Sequence, residues 1–284
     1  FFTLEYQLDY LIHCYEKPLL VWGHGIVMGG GLGLMAGASH RVVTETSRIA
    51  MPEQTIGLYP DVGGSYFLHK MPQGVGLFLG LTSASINCED ARFVSLADHF
   101  IDSTKYDAML AQILAAKWGK TASLNHERLT KLLTDLDNQS ARMPKGNIKA
   151  NLATIQKLAE LNTLQEQVDY ILGLATDDKW LQRAQKSLKH GCPLSCALVS
   201  EQLKASKGKS LLACFKMELG MSVRAGEVGE FQEGVRALLI DKDGAPNWQY
   251  KTLSDVPQAI IESFFANRFG ENHPLNGLDT PTHT

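Results

Sequence analysis

Three things are scarce in this sequence of 284 residues: net charge, cysteine and long apolar runs. A formal charge of −3 at pH 7 gives no reason to expect nucleic acid or an anionic membrane as a partner. Five scattered cysteines, an odd number, do not suggest a disulfide framework and are typical of free thiols in a reducing compartment. A membrane-spanning helix needs about 18 consecutive apolar residues. Because the sequence has no such run, we predict no membrane partner.

Metal-ligand spacing is missing as well. The nine histidines show no H-x-x-x-H or comparable pattern. Cys192 and Cys196 could share one face of a helix, but no histidine or second cysteine pair completes a zinc pattern. We therefore predict no metal site and interpret these two residues as buried thiols.

Strand-like and helix-like segments alternate through about residue 102. The opening FFTLEYQLDYLIHC predicts an amphipathic helix with Leu4, Leu8 and Leu11 on one face. Apolar runs in LLVWGHG, RVVTETSRIAM and ADHFID predict short strands, and the segments that follow Gly64 and Gly74 predict helices. This alternation is typical of an α/β layer fold.

Beyond Lys105 the strand pattern nearly disappears. Segments such as YDAMLAQILAAKW, LQEQVDYILGLA and SLLACFKMELGMSVRAGE repeat apolar residues at spacings of three and four, which predicts helices. We divide the chain into an α/β core at residues 1–105 and a helical region at residues 106–284 that packs on it. The polar, proline-broken end from about residue 271 is predicted to be a loose tail.

Three consecutive glycines, Gly29–Gly31, precede an apolar helical segment. The first amides of a helix have no partner within it, and together with the helix dipole they can bind an anion or a developing oxyanion. Alternatively, the glycines serve only for tight packing of the helix on a strand. GLGLMA at residues 31–36, with Glu53 about twenty residues later, also matches a loose dinucleotide fingerprint. That fingerprint needs its first glycine directly after a strand. Here GIVMGG separates the predicted strand from Gly31, so we disfavour NAD binding.

The segment MPEQTIGLYPDVGGSYFL, residues 51–68, carries two carboxylates eight positions apart in an apolar stretch broken by glycine and proline. Neither Glu53 nor Asp61 has a lysine or arginine at helical spacing, so neither belongs to a solvated charged face. One interpretation is a catalytic pair. The alternative makes Asp61 a helix N-cap and Glu53 a residue at a rim.

Two segments, HGIVMGGGLGL and AMPEQTIGLYPDVGG, closely resemble the crotonase superfamily of enoyl-CoA hydratase/isomerase-like proteins. A third, FQEGVRALLIDKDGAPNW, resembles the 3-hydroxyisobutyryl-CoA hydrolases within that superfamily. The resemblance runs from Phe1 to about Trp248. It implies an α/β fold with a crotonase-type ββα spiral core, whose N-terminal strands are missing from this chain, followed by a helical C-terminal region.

The resemblance also implies roles for individual residues. Gly30, with Gly29 beside it, matches the source of an oxyanion-hole amide for the thioester carbonyl. Glu53 in M-P-E matches the catalytic carboxylate. Asp61 in Y-P-D-V-G-G matches a second acid near the substrate hydroxyl and the reacting centre, and Glu5 in F-F-x-x-E-Y matches a substrate-contacting glutamate.

Binding of the CoA portion and assembly are implied more indirectly. Lys242 could lie near the CoA phosphates. No cofactor and no metal are expected, because coenzyme A is part of the substrate. Related enzymes often assemble as trimers, so a homo-oligomer is expected. The expected location is the cytoplasm in a bacterium and the mitochondrial matrix in a eukaryote.

Departures from the superfamily pattern bear on the reaction. Hydratases have a sequence similar to G-G-G-C-E-L at the glycine turn, and this sequence has Gly33 in place of the glutamate. Hydratases also generally carry glycine at the position of Asp61. Hydration needs a base for water and an acid for the α-carbon, so the arrangement argues against a hydratase. The A-G-G-D-like segment, which gives the other oxyanion amide, is absent before Phe1, and we expect this chain to belong to a longer protein.

The resemblance, together with these departures, implies hydrolysis of a short-chain 3-hydroxyacyl-CoA thioester, with 3-hydroxyisobutyryl-CoA in valine breakdown as the expected substrate. Two alternatives stay open. One is an enoyl-CoA hydratase or isomerase, and the other is a non-catalytic acyl-CoA-binding protein.

Overall fold

The computed structural model describes residues 1–141 and 143–278, which form two compact units. Unit 1 contains Phe1–Gln7, Met51–Ala84 and the described part of Leu152–Thr284. Unit 2 contains Leu8–Ala50 and Ser85–Asn151. The boundary near residue 105 between an α/β core and a helical region stays a prediction.

The strands are β1 (Leu20–Gly23), β2 (Ile26–Met28), β3 (His40–Val43), β4 (Arg48–Ala50) and β5 (His99–Phe100). The helices are α1 (Phe2–His13), α2 (Gly30–Gly37), α3 (Gly64–Phe67), α4 (Val75–Thr82), α5 (Cys88–Phe93), α6 (Tyr106–Ala115), α7 (Ala122–Asp137), α8 (Ile148–Gln156), α9 (Leu164–Gly173), α10 (Lys179–His190), α11 (Pro193–Ser206), α12 (Leu211–Val228), α13 (Glu230–Val235) and α14 (Gln258–Phe264). None of the helices in the described ranges is both long and apolar enough to cross a bilayer.

The strands of unit 2 alternate between two parallel sheets. One sheet has the order β1-β3-β5, and the other pairs β2 with β4. Successive strands therefore enter different sheets, and α2 connects the first pair, β1 and β2, to the second, β3 and β4. This repetition of two strands and a helix confirms the predicted ββα spiral. Strand β2 was not predicted, because its three residues lie inside a glycine-rich segment that we expected to turn helical.

Helix α7 supplies much of the core of unit 2. Leu129, Leu133 and Leu136 follow a helical spacing and pack with Val42 of β3 and Ile101. The core therefore forms where one apolar helix face covers the sheet.

The opening helix is confirmed, but its leucine face is exposed. Leu4, Leu8 and Leu11 are 73%, 51% and 51% exposed, whereas Tyr6 and Asp9 on the same helix are buried. The buried residues are therefore polar, and Tyr6 uses its hydroxyl for hydrogen bonds described below.

Helices α11, α12 and α14 build the core of unit 1, in which Leu198, Met221 and Phe264 are buried. The chain end was predicted to be loose from about residue 271. Leu275 is nevertheless fully buried, and the His273 ring lies 3.0 Å from the carbonyl oxygen of Lys216. Residues 279–284 lie outside the described residues, and for them the prediction stands untested.

Candidate active site

Glu53 begins a 3-10 turn, Glu53–Ile56, that is held tightly in unit 1. The turn ends at Gly57, whose φ of +72° favours glycine. A Cβ at Gly57 would stand 2.3 Å from the carbonyl oxygen of Glu230, and one at Gly234 would stand 2.1 Å from that of Ile56. These two glycines allow the backbone of the turn to approach α13 closely. This close packing fixes the position of the turn that carries Glu53.

Asp61 precedes a second turn of unusual conformation. Val62 and Gly63 both have positive φ, +49° and +87°, and α3 starts at the next residue. The amide of Gly64 donates to the Asp61 carbonyl oxygen at 2.7 Å. A β-branched residue is rarely found at positive φ, so this turn is strained at Val62.

The two carboxylates are buried near each other. Glu53 is 4% exposed and Asp61 is 5% exposed. Burial, followed by the charge of Asp61, raises the pKa of Glu53 well above its usual range. Burial also raises the pKa of Asp61, opposed by the Tyr6 hydrogen bond and assisted by the charge of Glu5. The pair therefore tends to hold a proton at neutral pH, as an acid–base site requires.

Glu5 lies at the edge of this group. It is half-buried, and burial raises the pKa of its carboxyl. Its charge acts on Asp61. Unit 1 thus brings together three of the predicted site residues, Glu5, Glu53 and Asp61.

Four residues that sequence reasoning missed surround Asp61. The Tyr6 hydroxyl donates to Asp61 Oδ2 at 2.7 Å and lies 2.7 Å from Ser222 Oγ. The same serine oxygen lies 2.7 Å from the Tyr59 hydroxyl, which donates to the carbonyl oxygen of Glu218. Tyr6 and Tyr59 stand in the quoted motifs F-F-x-x-E-Y and Y-P-D-V-G-G, and Glu218 and Ser222 are two polar residues four positions apart in an apolar helix.

The carboxylate of Glu218 is fully buried and holds the turn that follows Asp61. Its two oxygens accept the amides of Gly63 at 2.9 Å and Ser65 at 2.8 Å. Burial raises the pKa of Glu218 to about 8, and these hydrogen bonds oppose the shift.

The glycine turn lies in unit 2, directly after β2. Gly29 has φ +51° and ψ −130°, and α2 begins at Gly30. The backbone oxygen of Gly29 accepts hydrogen bonds from the amides of Leu32 and Gly33. The helical amides that come before Leu32 therefore have no hydrogen-bond partner within the helix. A Cβ at Gly31 would meet nothing within 4 Å, so tight packing does not explain that glycine.

Lys242 is exposed in the loop after the π-helical turn Arg236–Ile240. Its φ is +56°, and the neighbouring Asp241 and Asp243 are paired with Arg236. Within the described residues no hydrogen bond or ion pair joins Lys242 to Glu53 or Asp61. No group of three or more His, Cys, Asp or Glu side chains in the described ranges is arranged to hold a metal ion.

Residues 1–265 match the enoyl-CoA hydratase/isomerase family. The chain belongs to this family. A protein of Dictyostelium discoideum named 3-hydroxyisobutyryl-CoA hydrolase, mitochondrial, is 33% identical over 93% of this chain and 68% of its own length. The crystal structure of an enoyl-CoA hydratase from Rhodobacter sphaeroides superposes with a TM-score of 0.78 at 31% identity, covering 93% of this chain and 73% of that one.

A third relative carries a name of a different kind. The small ribosomal subunit protein mS47 of Neurospora crassa is 31% identical over 94% of this chain and 55% of its own length. Family membership and the crotonase fold that the sequence predicted are confirmed by these comparisons, and the names of the relatives include both hydrolases and a ribosomal protein.

Proposed function

We propose that this protein hydrolyses a short-chain 3-hydroxyacyl-CoA thioester, and that 3-hydroxyisobutyryl-CoA is its substrate. The observation that carries the proposal is the buried pair of Glu53 and Asp61, whose environment raises both pKa values. Gly33, where hydratases place a glutamate, removes the second carboxylate that hydration of a double bond uses. The name of the Dictyostelium relative supports the same substrate.

In the proposed reaction, water and the thioester give a carboxylic acid and free CoA thiol. Glu53 either attacks the thioester carbonyl, forming a mixed anhydride that water then cleaves, or removes a proton from the attacking water. Oε2 of Glu53 has no hydrogen-bond partner in the part of the chain that the structure describes, and this suits both routes. Asp61 orients the 3-hydroxyl group of the substrate and takes part in proton transfer.

The roles of the remaining predicted residues complete the proposal. Gly30, with Gly29 beside it, supplies one amide to the thioester oxygen, Glu5 contacts the substrate, and Lys242 binds the CoA phosphates. CoA is part of the substrate, and no further cofactor is proposed. We also propose a homo-oligomer built on trimers, with a mitochondrial location in a eukaryote and a cytoplasmic one in a bacterium.

Thiol release tests the function directly. Given 3-hydroxyisobutyryl-CoA, the protein should release free CoA thiol. Given crotonyl-CoA, it should cause little decrease in enoyl absorbance. Loss of enoyl absorbance without thiol release would favour a hydratase. CoA binding without either reaction would favour a non-catalytic protein, an outcome that the name of the ribosomal relative makes worth measuring.

A further inference from the structure

The turn that follows Asp61 does not hold its shape by local preference. Val62 at φ +49° has a β-branched side chain in the left-handed region, a strained conformation that persists only when neighbouring structure imposes it. If Val62 relaxed to negative φ, the Asp61 side chain would move. Whatever holds this turn therefore also holds Asp61.

Glu218 of helix α12 holds the turn that follows Asp61. Glu218 is completely buried, and each of its carboxylate oxygens accepts one amide from the turn, Gly63 at 2.9 Å and Ser65 at 2.8 Å. A buried carboxylate is costly unless it is hydrogen-bonded. Here both oxygens are used on the backbone that immediately follows Asp61, so the helix fixes the turn at two points.

The same helix face also reaches the Asp61 side chain, through Ser222. Its hydroxyl lies 2.7 Å from both tyrosine hydroxyls, and Tyr59 already donates its proton to a carbonyl oxygen. Tyr6 donates to Asp61 Oδ2. The serine proton must therefore point to one of the tyrosine oxygens, and every hydroxyl proton of the network has an acceptor. In this arrangement the Tyr6 hydroxyl donates to Asp61 Oδ2 and can accept from Ser222.

We propose that Glu218 and Ser222 are positioning residues for Asp61. Glu218 holds the strained turn, and Ser222 orients the Tyr6 hydroxyl toward the Asp61 carboxylate. The catalytic consequence rests on the proposed function, whereas the structural consequence can be measured without substrate.

The first test pairs Glu218→Gln with Val62→Gly. The glutamine presents one oxygen and one NH₂ group to two amide donors, so the turn loses one acceptor. We expect kcat for thiol release to fall by about 10–100-fold with KM changed less than about threefold, because a small misplacement of a reacting group can cost that much. Adding Val62→Gly should recover most of the loss, since glycine tolerates positive φ without a clamp. The matched control is Glu262→Gln at an exposed helix position.

A purely structural role predicts a different result. In that case Glu218→Gln lowers the melting temperature but leaves kcat unchanged at temperatures where the protein is folded, and Val62→Gly restores nothing. Either result overturns the positioning role of Glu218.

The second test follows the Asp61 carboxyl by 13C NMR in protein labelled at aspartate, with Asp61→Asn identifying the signal. The ionisable groups that face Asp61 are Glu5, Tyr6, Glu53, Tyr59 and Glu218. Tyr6→Phe removes a donor to the charged form and should raise the midpoint for Asp61. Ser222→Ala should shift it in the same direction by less. An unchanged titration in Ser222→Ala overturns the role of that residue.

The NMR titration also separates this proposal from the proposed function. A wild-type protein that releases no thiol contradicts the hydrolase. The shifts of the Asp61 signal in Tyr6→Phe, Ser222→Ala and Glu218→Gln would still support or overturn the positioning role, because they need no substrate.

Discussion

Glu53 and Asp61 are buried to the same degree, yet their surroundings differ. Asp61 accepts a hydroxyl proton from Tyr6, and the turn beyond it is held by Glu218. Glu53 Oε2 has no hydrogen-bond partner within the described residues. A buried oxygen without a donor is costly when charged, so it gains most from a proton or from a bond to an electrophile. The comparison indicates that one carboxylate is held in place and the other is kept reactive.

The change with the largest expected effect is Glu53→Gln. An amide can neither attack a thioester to form an anhydride nor remove a proton from water, so kcat should fall by about 10²–10⁴-fold. Acyl-CoA affinity should stay within a few-fold, because the amide keeps the shape of the side chain. Single-turnover thiol release and calorimetric binding measure the two quantities.

Glu262→Gln is a matched control, because it makes the same change on an exposed helix position. If Glu53→Gln kept more than about a tenth of the wild-type kcat, the contrast between the two carboxylates would lose its catalytic meaning.

Asp61→Asn should have a smaller effect that depends on the substrate. If Asp61 accepts the 3-hydroxyl proton, the charged hydrogen bond is worth roughly 1.5–3 kcal/mol. The kcat/KM for 3-hydroxyisobutyryl-CoA should then fall about 10- to 150-fold more than that for isobutyryl-CoA, which lacks the hydroxyl. Parallel assays of wild type and variant on both substrates give this ratio. Equal losses on both would assign Asp61 to the chemical step instead of hydroxyl recognition.

The sequence predicted this comparison only in part. Four of the five described strands, the opening helix and the family could be predicted, because apolar spacing and motifs are local in the chain. The motif also predicted Glu53 and Asp61 as site residues. It could not show the donor of Asp61, since Tyr6 is 55 residues away and its partner Ser222 is 216 residues from Tyr6.

The leucine face of α1 shows the other limit of sequence reasoning. Helical spacing correctly placed Leu4, Leu8 and Leu11 together, but in the structure that face is exposed and Tyr6 is buried instead. Apolar periodicity reports which residues share a face, and only tertiary contacts decide which face is covered.

The smallest expected effect concerns stability, and its dependence on pH is the informative part. The folded-state pKa of Glu53 is raised by burial and by Asp61, whereas the unfolded value is about 4.5. The folded protein therefore binds the proton more tightly than the unfolded chain does. The resulting stability is fully present below the unfolded pKa and is lost as pH rises toward the folded pKa. Glu53→Gln removes this loss.

The melting temperature of Glu53→Gln relative to wild type should therefore increase steadily as pH is raised from about 4.5, by about 2–4 °C for each kcal/mol regained. Hydrogen bonds made or lost by the amide do not titrate, so they shift the whole curve without changing its slope. Glu262→Gln, at an exposed position, should run parallel to wild type. Parallel curves for Glu53→Gln as well would mean that Glu53 is ionised with little penalty in the folded protein. The contrast between a held and a reactive carboxylate would then lack its physical basis.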